Sequence, residues 1–422
     1  MTRCVVVADD LTGSCDTGHE FAAREYDTRV VLSTQTDATA GGDVSVYNTE
    51  SRYADPAVAG ERVRSVLEST DASVVYKKVD STLRGNVRVE VDAAARAVDP
   101  ALVVVAPAFP DNGRVTACGY HLVDGQLVTD SPPGDDDERP PTHDSLPEFF
   151  ASSAFPVETI GVETVARGTD AVHEAFESFV STDGPVVVTC DAVTDSHLET
   201  LAAAAQALSE RCLYVGSGGL ARHVDVPGTP SGAGIDIDQS RSVVGAAGSV
   251  APETLGQLDA VPEDWRRLLD LETAVTDPSA AGADLAARGA AVIDDHGGVV
   301  LHSAESRDDV DRAMAAGERA GVDGPTVRRR VTDALAGGAA EVVGADPASN
   351  LFLTGGETAR AVFEELDTTA LRMAGEAVAP GIPLATVEGG TADGAAAVTK
   401  AGGFGDQQAI IKSLGRLGFR DE

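Results

Sequence analysis

The sequence predicts an α/β protein built as two α/β domains with mostly parallel sheets and an interdomain cleft. Two observations carry that prediction. Short valine-rich runs bounded by turn residues alternate with stretches of helical period, and a Pro/Gly/Ser-rich break near residue 235 divides the 422-residue chain.

In the first half the strand segments fall at 5–8, 29–32, 44–47, 74–76, 102–106, 186–189 and 213–215. Their near-continuous apolar character fits strands covered on both faces. Helices are expected at 56–68, 87–98, 170–179 and 195–209, where apolar residues recur every three or four positions. Between 130 and 144 the composition shifts to SPPGDDDERPPTH, which cannot build a core and predicts a mobile loop. Residues 225–240 read as an interdomain linker. Strand segments resume at 243–246, 299–302, 351–354, 384–387 and 396–399, giving expected domains of 1–235 and 236–422.

Charge narrows the function. A formal net charge of -36, with no basic stripe longer than Arg328-Arg329-Arg330, excludes a nucleic-acid partner. The same acidity suits a halophilic protein in a very salty cytoplasm. At about 1 M salt the Debye length is only about 3 Å, so local cations rather than the global field would decide anion binding. The five cysteines are widely spaced without a CxxC pair, which indicates a reducing compartment. MTRCVVVADD turns acidic too early for a signal peptide, and no run of 18 apolar residues occurs, so a cytoplasmic protein without membrane contact is expected. The apolar fraction leaves room for a homo-oligomer.

Lysine is nearly absent. The chain has four, and Lys77, Lys78 and Lys400 lie in two loops, YKKVDSTLRGN at 76–86 and VTKAGGFGD at 398–406. An ammonium among glycine and hydroxyl residues is a point charge for carboxylate or phosphate oxygens. In the first half the strand 5–8 ends in Asp9 and Asp10, where open α/β sheets bind ligands. Asp16, further along, reads either as part of that site or as a helix cap. Asp80, Ser81, Thr82 and Arg84 follow another strand end and suit a small polar anion. Arg52 and Asn112-Gly113-Arg114 are weaker candidates.

In the second half Gly355, Gly356, Glu357 and Thr358 form a strand-to-helix turn that exposes N–H groups and the helix dipole to a phosphate. Gly402 and Gly403 beside Lys400, and Ser249 after Gly248, offer two more such loops. Three loops of this kind point to a nucleotide. The chain has no GxxxxGK[ST] stretch, dinucleotide fingerprint or GxSxG elbow. Its eight histidines show no HxH or HExxH spacing, so a histidine metal site is not expected, and the ligands of any metal are not readable. His121, in CGYHLVDG, could approach a ligand but reads rather as a surface or hairpin residue.

Taken in order, VVVADDLTGSCDTG at 5–18, YKKVDSTLRGN, VVAPAFPDNGR at 104–114, GSVAPETLGQL at 248–258, TGGETA at 354–359 and VTKAGGFGD resemble the four-carbon acid sugar kinase family across essentially the whole chain. The resemblance implies an N-terminal domain that binds a sugar acid through Asp9, Asp10, Arg52, Lys78, Asp80, Ser81, Thr82 and Arg84. It implies a C-terminal domain that binds ATP through Ser249, Gly355, Gly356, Glu357, Thr358, Gly402 and Gly403. The implied reaction is ATP-dependent phosphorylation of the terminal (4-) hydroxyl of threonate, erythronate or 3-oxo-tetronate, with Mg²⁺ bridging the phosphates. Asp10, Lys78 and Asp80 are the expected catalytic residues, with Asp10 favoured over Asp80 and Asp406 as proton acceptor. The alternative is a non-catalytic sensor that binds the same sugar acid and nucleotide.

Overall fold

A computed structural model describes residues 2–32, 41–232 and 234–419, in two compact units, Met1–Gly232 and Ala233–Glu422. The first carries strands β1 (Cys4–Ala8), β2 (Thr28–Val31), β3 (Val44–Asn48), β4 (Val74–Lys78) and β5 (Leu102–Ala106). After them come β6 (Arg114–Ala117), β7 (Tyr120–Val123), β8 (Gln126–Leu127), β9 (Val157–Ile160), β10 (Val186–Cys190) and β11 (Cys212–Gly216). Its main sheet runs β2-β3-β1-β4-β11-β5-β10-β9, parallel throughout, while β6, β7 and β8 form a small antiparallel sheet. The strands are valine-rich because both faces are covered.

The second unit holds β12 (Val243–Ala247), β13 (Arg266–Leu268), β14 (Gly298–His302), β15 (Asn350–Thr354), β16 (Ala370–Ala379), β17 (Ile382–Glu388) and β18 (Ala396–Lys400). The order is β13-β14-β12-β15-β18-β17-β16, parallel as far as β18 and antiparallel beyond. Its core includes Phe352, Leu384, Val398 and Leu414, with Trp265 against Phe419 at 4.4 Å between ring centroids.

Polar residues attach the segment around the break to each unit. Arg3 donates to the carbonyls of Pro227 and Thr229 at 2.6 and 2.9 Å, while Asn350 donates to Asp238 O at 3.0 Å. The 131–143 stretch, expected to be mobile, is instead pinned. Asp136 accepts from Tyr53 Oη at 2.9 Å, and Arg139 O accepts from Gly85 N at 3.0 Å. A segment without a core can still be held by hydrogen bonds.

Candidate substrate and nucleotide sites

In the first unit β1 and β4 are neighbours whose following helices diverge. The helix Leu11–Ala22 after β1 covers the face where its Phe21 meets Tyr76 edge-on at 6.5 Å. The helix Val87–Val98 after β4 packs with Pro56–Glu68 and the Val5, Val7 and Val75 side chains on the other. Adjacent parallel strands with diverging connections leave a crevice at their carboxyl ends. Asp9, Asp10, Lys78 and Asp80 all arise there.

Strand alternation separates the two adjacent lysines. Lys77 points towards Val87–Val98, where its Nζ lies 2.8 Å from Glu90 Oε2 with both side chains buried. Lys78 points to the opposite face, near Gly13, where its Nζ stands 2.9 Å from the position of a Cβ on that glycine. Its one protein hydrogen bond among the described residues goes to Val79 O at 2.9 Å. An ammonium has three donors, so this buried cation keeps two for an incoming anion.

Around it the carboxylates are tied to arginines. Arg52 donates through Nε to Asp9 Oδ2 at 2.7 Å and through Nη2 to Asp10 Oδ1 at 2.9 Å; Asp10 also caps its helix by accepting from Gly13 N at 2.9 Å. Burial alone would raise the Asp9 carboxyl, but Arg52, Lys77 and Lys78 outweigh it and hold it below the usual range. Asp80 accepts a fork from Arg84, Nε to Oδ2 at 2.7 Å and Nη2 to Oδ1 at 3.2 Å, and a third bond from Thr82 Oγ1 at 2.5 Å. Against burial, Arg84 and Arg52 keep its carboxyl well below the ordinary value. The loop is set by left-handed backbone at Leu83 (φ 60) and Gly85 (φ 90), where a Cβ on Gly85 would stand 2.9 Å from Arg52 Cγ.

Three loops meet in the second unit at the carboxyl ends of β12, β15 and β18. A Cβ on Gly248 would stand 2.0 Å from Thr358 Oγ1, and one on Gly402 would stand 2.2 Å from Ser249 Oγ. Glycine is required for such approach. Gly355, at φ 99, opens the helix Gly356–Glu365, whose first N–H groups have no partner within the helix. Gly248, Ser249, Gly355, Gly356, Glu357, Thr358 and Gly402 line one side of a cavity of about 390 Å³. Val310, Ala313, Met314, Val327, Val331 and Leu335 give it apolar surface, with Ser303, Asp309, Arg328 and Thr332 among the other lining residues. A wall of polar backbone opposite an apolar wall suits a ligand with a phosphate end and a flat organic end.

Lys400 is part of the loop's own framework. Its Nζ donates to Thr254 Oγ1 and to the carbonyls of Ala401, Gly402 and Phe404 at 2.9 to 3.2 Å. Burial pulls its pKa down to about 8, with Glu253 opposing. Three hydrogens facing four acceptors leave none for a phosphate.

The predicted first-unit residues thus converge, except that the Ser81 carbonyl, not its hydroxyl, has the defined partner, His121 Nε2 at 2.8 Å. His121 lies on the expected hairpin, yet is wholly buried. Asp16 is not a cap: it lies mid-helix, and Asp10 does the capping. Asp406, weighed as a base, sits at the surface against Lys412 at 2.5 Å. Arg114 donates to Asn112 O inside its own turn. Gly403 lies beside Glu253 and outside the cavity lining. Sequence reasoning missed Tyr53, Asp136 and Asn86, which brace the Arg52 loop, and the apolar wall of the cavity. The spacing of Val327, Val331 and Leu335 signals a helical stripe, but not what it faces.

The comparisons with known proteins decide the family. Residues 4–224 match the model of a sugar-binding N-terminal domain, and 244–410 that of a nucleotide-binding C-terminal domain. A D-threonate kinase of Salmonella typhimurium is 31% identical over 98% of this chain and 97% of its own. The chain belongs to the four-carbon acid sugar kinase family. It is a phosphotransferase with an alcohol group as acceptor. A D-erythronate kinase of Heliobacterium modesticaldum is 29% identical (99% and 97% covered) and a 3-oxo-tetronate kinase of Methylobacterium radiotolerans 30% (91% and 92%). Among solved structures, a Haemophilus influenzae protein, 22% identical, covers 98% of this chain and 100% of its own with a TM-score of 0.75. A Salmonella typhimurium protein, also 22% identical, covers 98% of this chain and 99% of its own with a TM-score of 0.81. Both likenesses are of fold alone. No helix among the described residues is long and apolar enough to cross a membrane.

Proposed function

We propose that the protein is an ATP-dependent kinase that phosphorylates the terminal hydroxyl of a four-carbon sugar acid such as threonate, erythronate or 3-oxo-tetronate. The observation that carries this reading is Lys78: a buried ammonium with two donors open, at the point where the first sheet's connections diverge. Such a cation is stabilised by an anion, and a sugar-acid carboxylate is one. Asp9, Asp10, Asp80, Ser81 and Thr82 supply acceptors or hydroxyls for the substrate's own hydroxyls. Arg52 and Arg84 hold those carboxylates in place and balance their charge.

ATP would lay its base against the apolar wall and its phosphates against Ser249, the 355–358 turn and Gly402, with Gly403 at the rim. Mg²⁺ fits this arrangement, since it retains waters and takes few protein ligands when phosphates are present. Asp309, which lines the cavity, is occupied by the N–H groups of Glu305 and Ser306 at 2.8 and 2.9 Å, so Glu357 is the lining carboxylate left to hold the ion. The ion would neutralise phosphate charge. Positioning and charge neutralisation are what phosphoryl transfer needs most.

The setting we infer is a reducing, salt-rich cytoplasm. The five cysteines are free and four are buried. The deciding experiment couples ADP release to a chromogenic readout with ATP, Mg²⁺ and a panel of threonates, erythronates and 3-oxo-tetronates in molar KCl. Turnover of one of them supports the reading; ADP release from none defeats it. An unchanged melting temperature between dilute buffer and molar KCl would defeat the salt inference.

A further inference from the structure

We propose that Asp16 is the catalytic base that takes the proton from the attacking hydroxyl, a role that rests on the kinase reading above. Any base for this reaction must be a carboxylate or imidazole in the first-unit crevice that is free to bind a proton. Asp9 and Asp80 are each forked onto an arginine, and Asp10 is held through Oδ1 alone, by Arg52 and by the N–H of Gly13, so that it carries an arginine counter-charge that Asp16 lacks. His121 has both ring nitrogens engaged, with Thr116 Oγ1 at 2.9 Å and Ser81 O at 2.8 Å. The Asp16 carboxylate has no hydrogen bond or ion pair to a described residue, though the charges of Lys78 and His19 act on it.

Its position fits the role. Asp10, Gly13 and Asp16 follow one another at three-residue steps, so they share the helix face turned to β4 and the Lys78 ammonium. Asp16 Oδ2 lies 3.0 Å from the position of a Cβ on Gly218, with the Phe109 ring edge 3.1 Å from that same point. A side chain at 218 would press on the carboxylate. The half-buried carboxylate stands between the Gly218 turn after β11 and the Lys78 charge at the end of β4.

Burial raises its pKa to about 6. Glu20 and Asp10 on its own helix push the same way, while Lys78 from β4 and His19 oppose. Beyond Glu20 stands Arg222, whose guanidinium is taken by Glu20 at 3.0 Å and Asp111 at 2.6 Å. A base near neutrality combines the right protonation state with proton affinity. In the step, the hydroxyl proton passes to Asp16 and the substrate oxygen bonds to the γ-phosphorus of ATP. The bond from that phosphorus to the β–γ bridging oxygen breaks, its electron pair leaving on ADP, and the proton on Asp16 then passes to water.

The test compares kcat and KM against pH, at saturating ATP and Mg²⁺, for the wild type, Asp16→Asn and Asp16→Glu. Asp16→Asn is expected to lower kcat by about 10²-fold or more, with the KM for the sugar acid within about threefold, as loss of a general base does. The wild-type kcat should fall below an apparent pKa near 6, and the asparagine variant should lose that acidic limb. The glutamate variant should regain part of the rate and the limb with it. A fall of less than tenfold, or an asparagine variant that is slow but keeps the limb, overturns the assignment. If the asparagine variant does not fold, a wild-type profile without an acidic limb overturns it alone. A wild type that turns over no four-carbon acid defeats the kinase reading itself, whereas these outcomes in a working enzyme defeat only Asp16.

Discussion

Arg52 grips Asp9 with two nitrogens, Nε to Oδ2 at 2.7 Å and Nη2 to Oδ1 at 3.2 Å, at the end of a strand 43 residues away in sequence. Nη2 also reaches Asp10, so one planar cation holds both carboxylates of the β1 turn. A lysine cannot reproduce that fork. Arg52→Lys is expected to lower stability by roughly 2–4 kcal/mol, because a buried carboxylate loses half its compensation, and to raise the KM for the sugar acid. Urea unfolding and steady-state kinetics check both. Stability within about 0.5 kcal/mol of wild type would mean the fork is replaceable.

The Lys77–Glu90 pair gives a second prediction, about stability. Both groups are fully buried, and Glu90 Oε1 has no partner among the described residues. Lys77→Met strands a carboxylate and should cost roughly 3–5 kcal/mol, whereas Lys77→Met with Glu90→Leu should recover most of that loss. Denaturant titration of the single and double variants measures the coupling. A double variant no better than the single would show that the pair contributes more than mutual compensation.

His121 should make the protein acid-sensitive. Burial lowers its pKa from 6.5 to about 4, against the hydrogen bond to Ser81 O, and the buried His302 is lowered to about 4 in the same way. A base whose folded pKa is depressed contributes stability that is present above 6.5 and lost as pH falls towards 4. Asp16 runs the other way: its raised pKa costs stability as pH climbs from about 4 to 6. The difference between wild type and His121→Gln isolates one group. It should shrink by roughly 3 kcal/mol between pH 7 and pH 4. Thermal unfolding across that range measures it, and a pH-independent difference would place the protonation elsewhere.

Gly402→Ala tests the nucleotide cradle. The new Cβ would stand 2.2 Å from Ser249 Oγ and 3.1 Å from Ala251 Cβ, which pushes the β12 and β18 loops apart. The dissociation constant for ATP, read by calorimetry, should rise at least about tenfold, or 1.4 kcal/mol. Gly337→Ala is the control. Nothing lies within 4 Å of its Cβ position in the helix Gly324–Ala345, so it should stabilise by roughly 0.5–1 kcal/mol with ATP affinity unchanged. Equal affinities for both variants would remove Gly402 from the site.

Much was legible in the sequence where the information is local. The helices Pro56–Glu68 and Val87–Val98 and the strand Leu102–Ala106 have the predicted bounds, because period and turn residues lie inside each segment. Beyond a hairpin read at His121, the strands β6, β7 and β8 had no predicted bounds, and the short strands β9 and β13 and the strand β16 were not foreseen; some are too brief for a period, and β16 carries register shifts against β17.

The sequence by itself determined the alternation of strands and helices, the glycine turns, and which short stretches hold the charged chemistry. Only the tertiary structure decided what each charge does. Lys77 and Lys78 are adjacent and chemically identical, and strand alternation says only that they face opposite ways. The packing of Glu90 against one face and of Gly13 and Asp16 against the other makes the first a structural partner and leaves the second open to an anion. Lys400 likewise became a brace because Thr254, 146 residues away, and the loop carbonyls surround it. Spacing along a chain encodes period and turn. Which distant groups share a buried volume, and so which charges are already compensated, depends on sheet order and face.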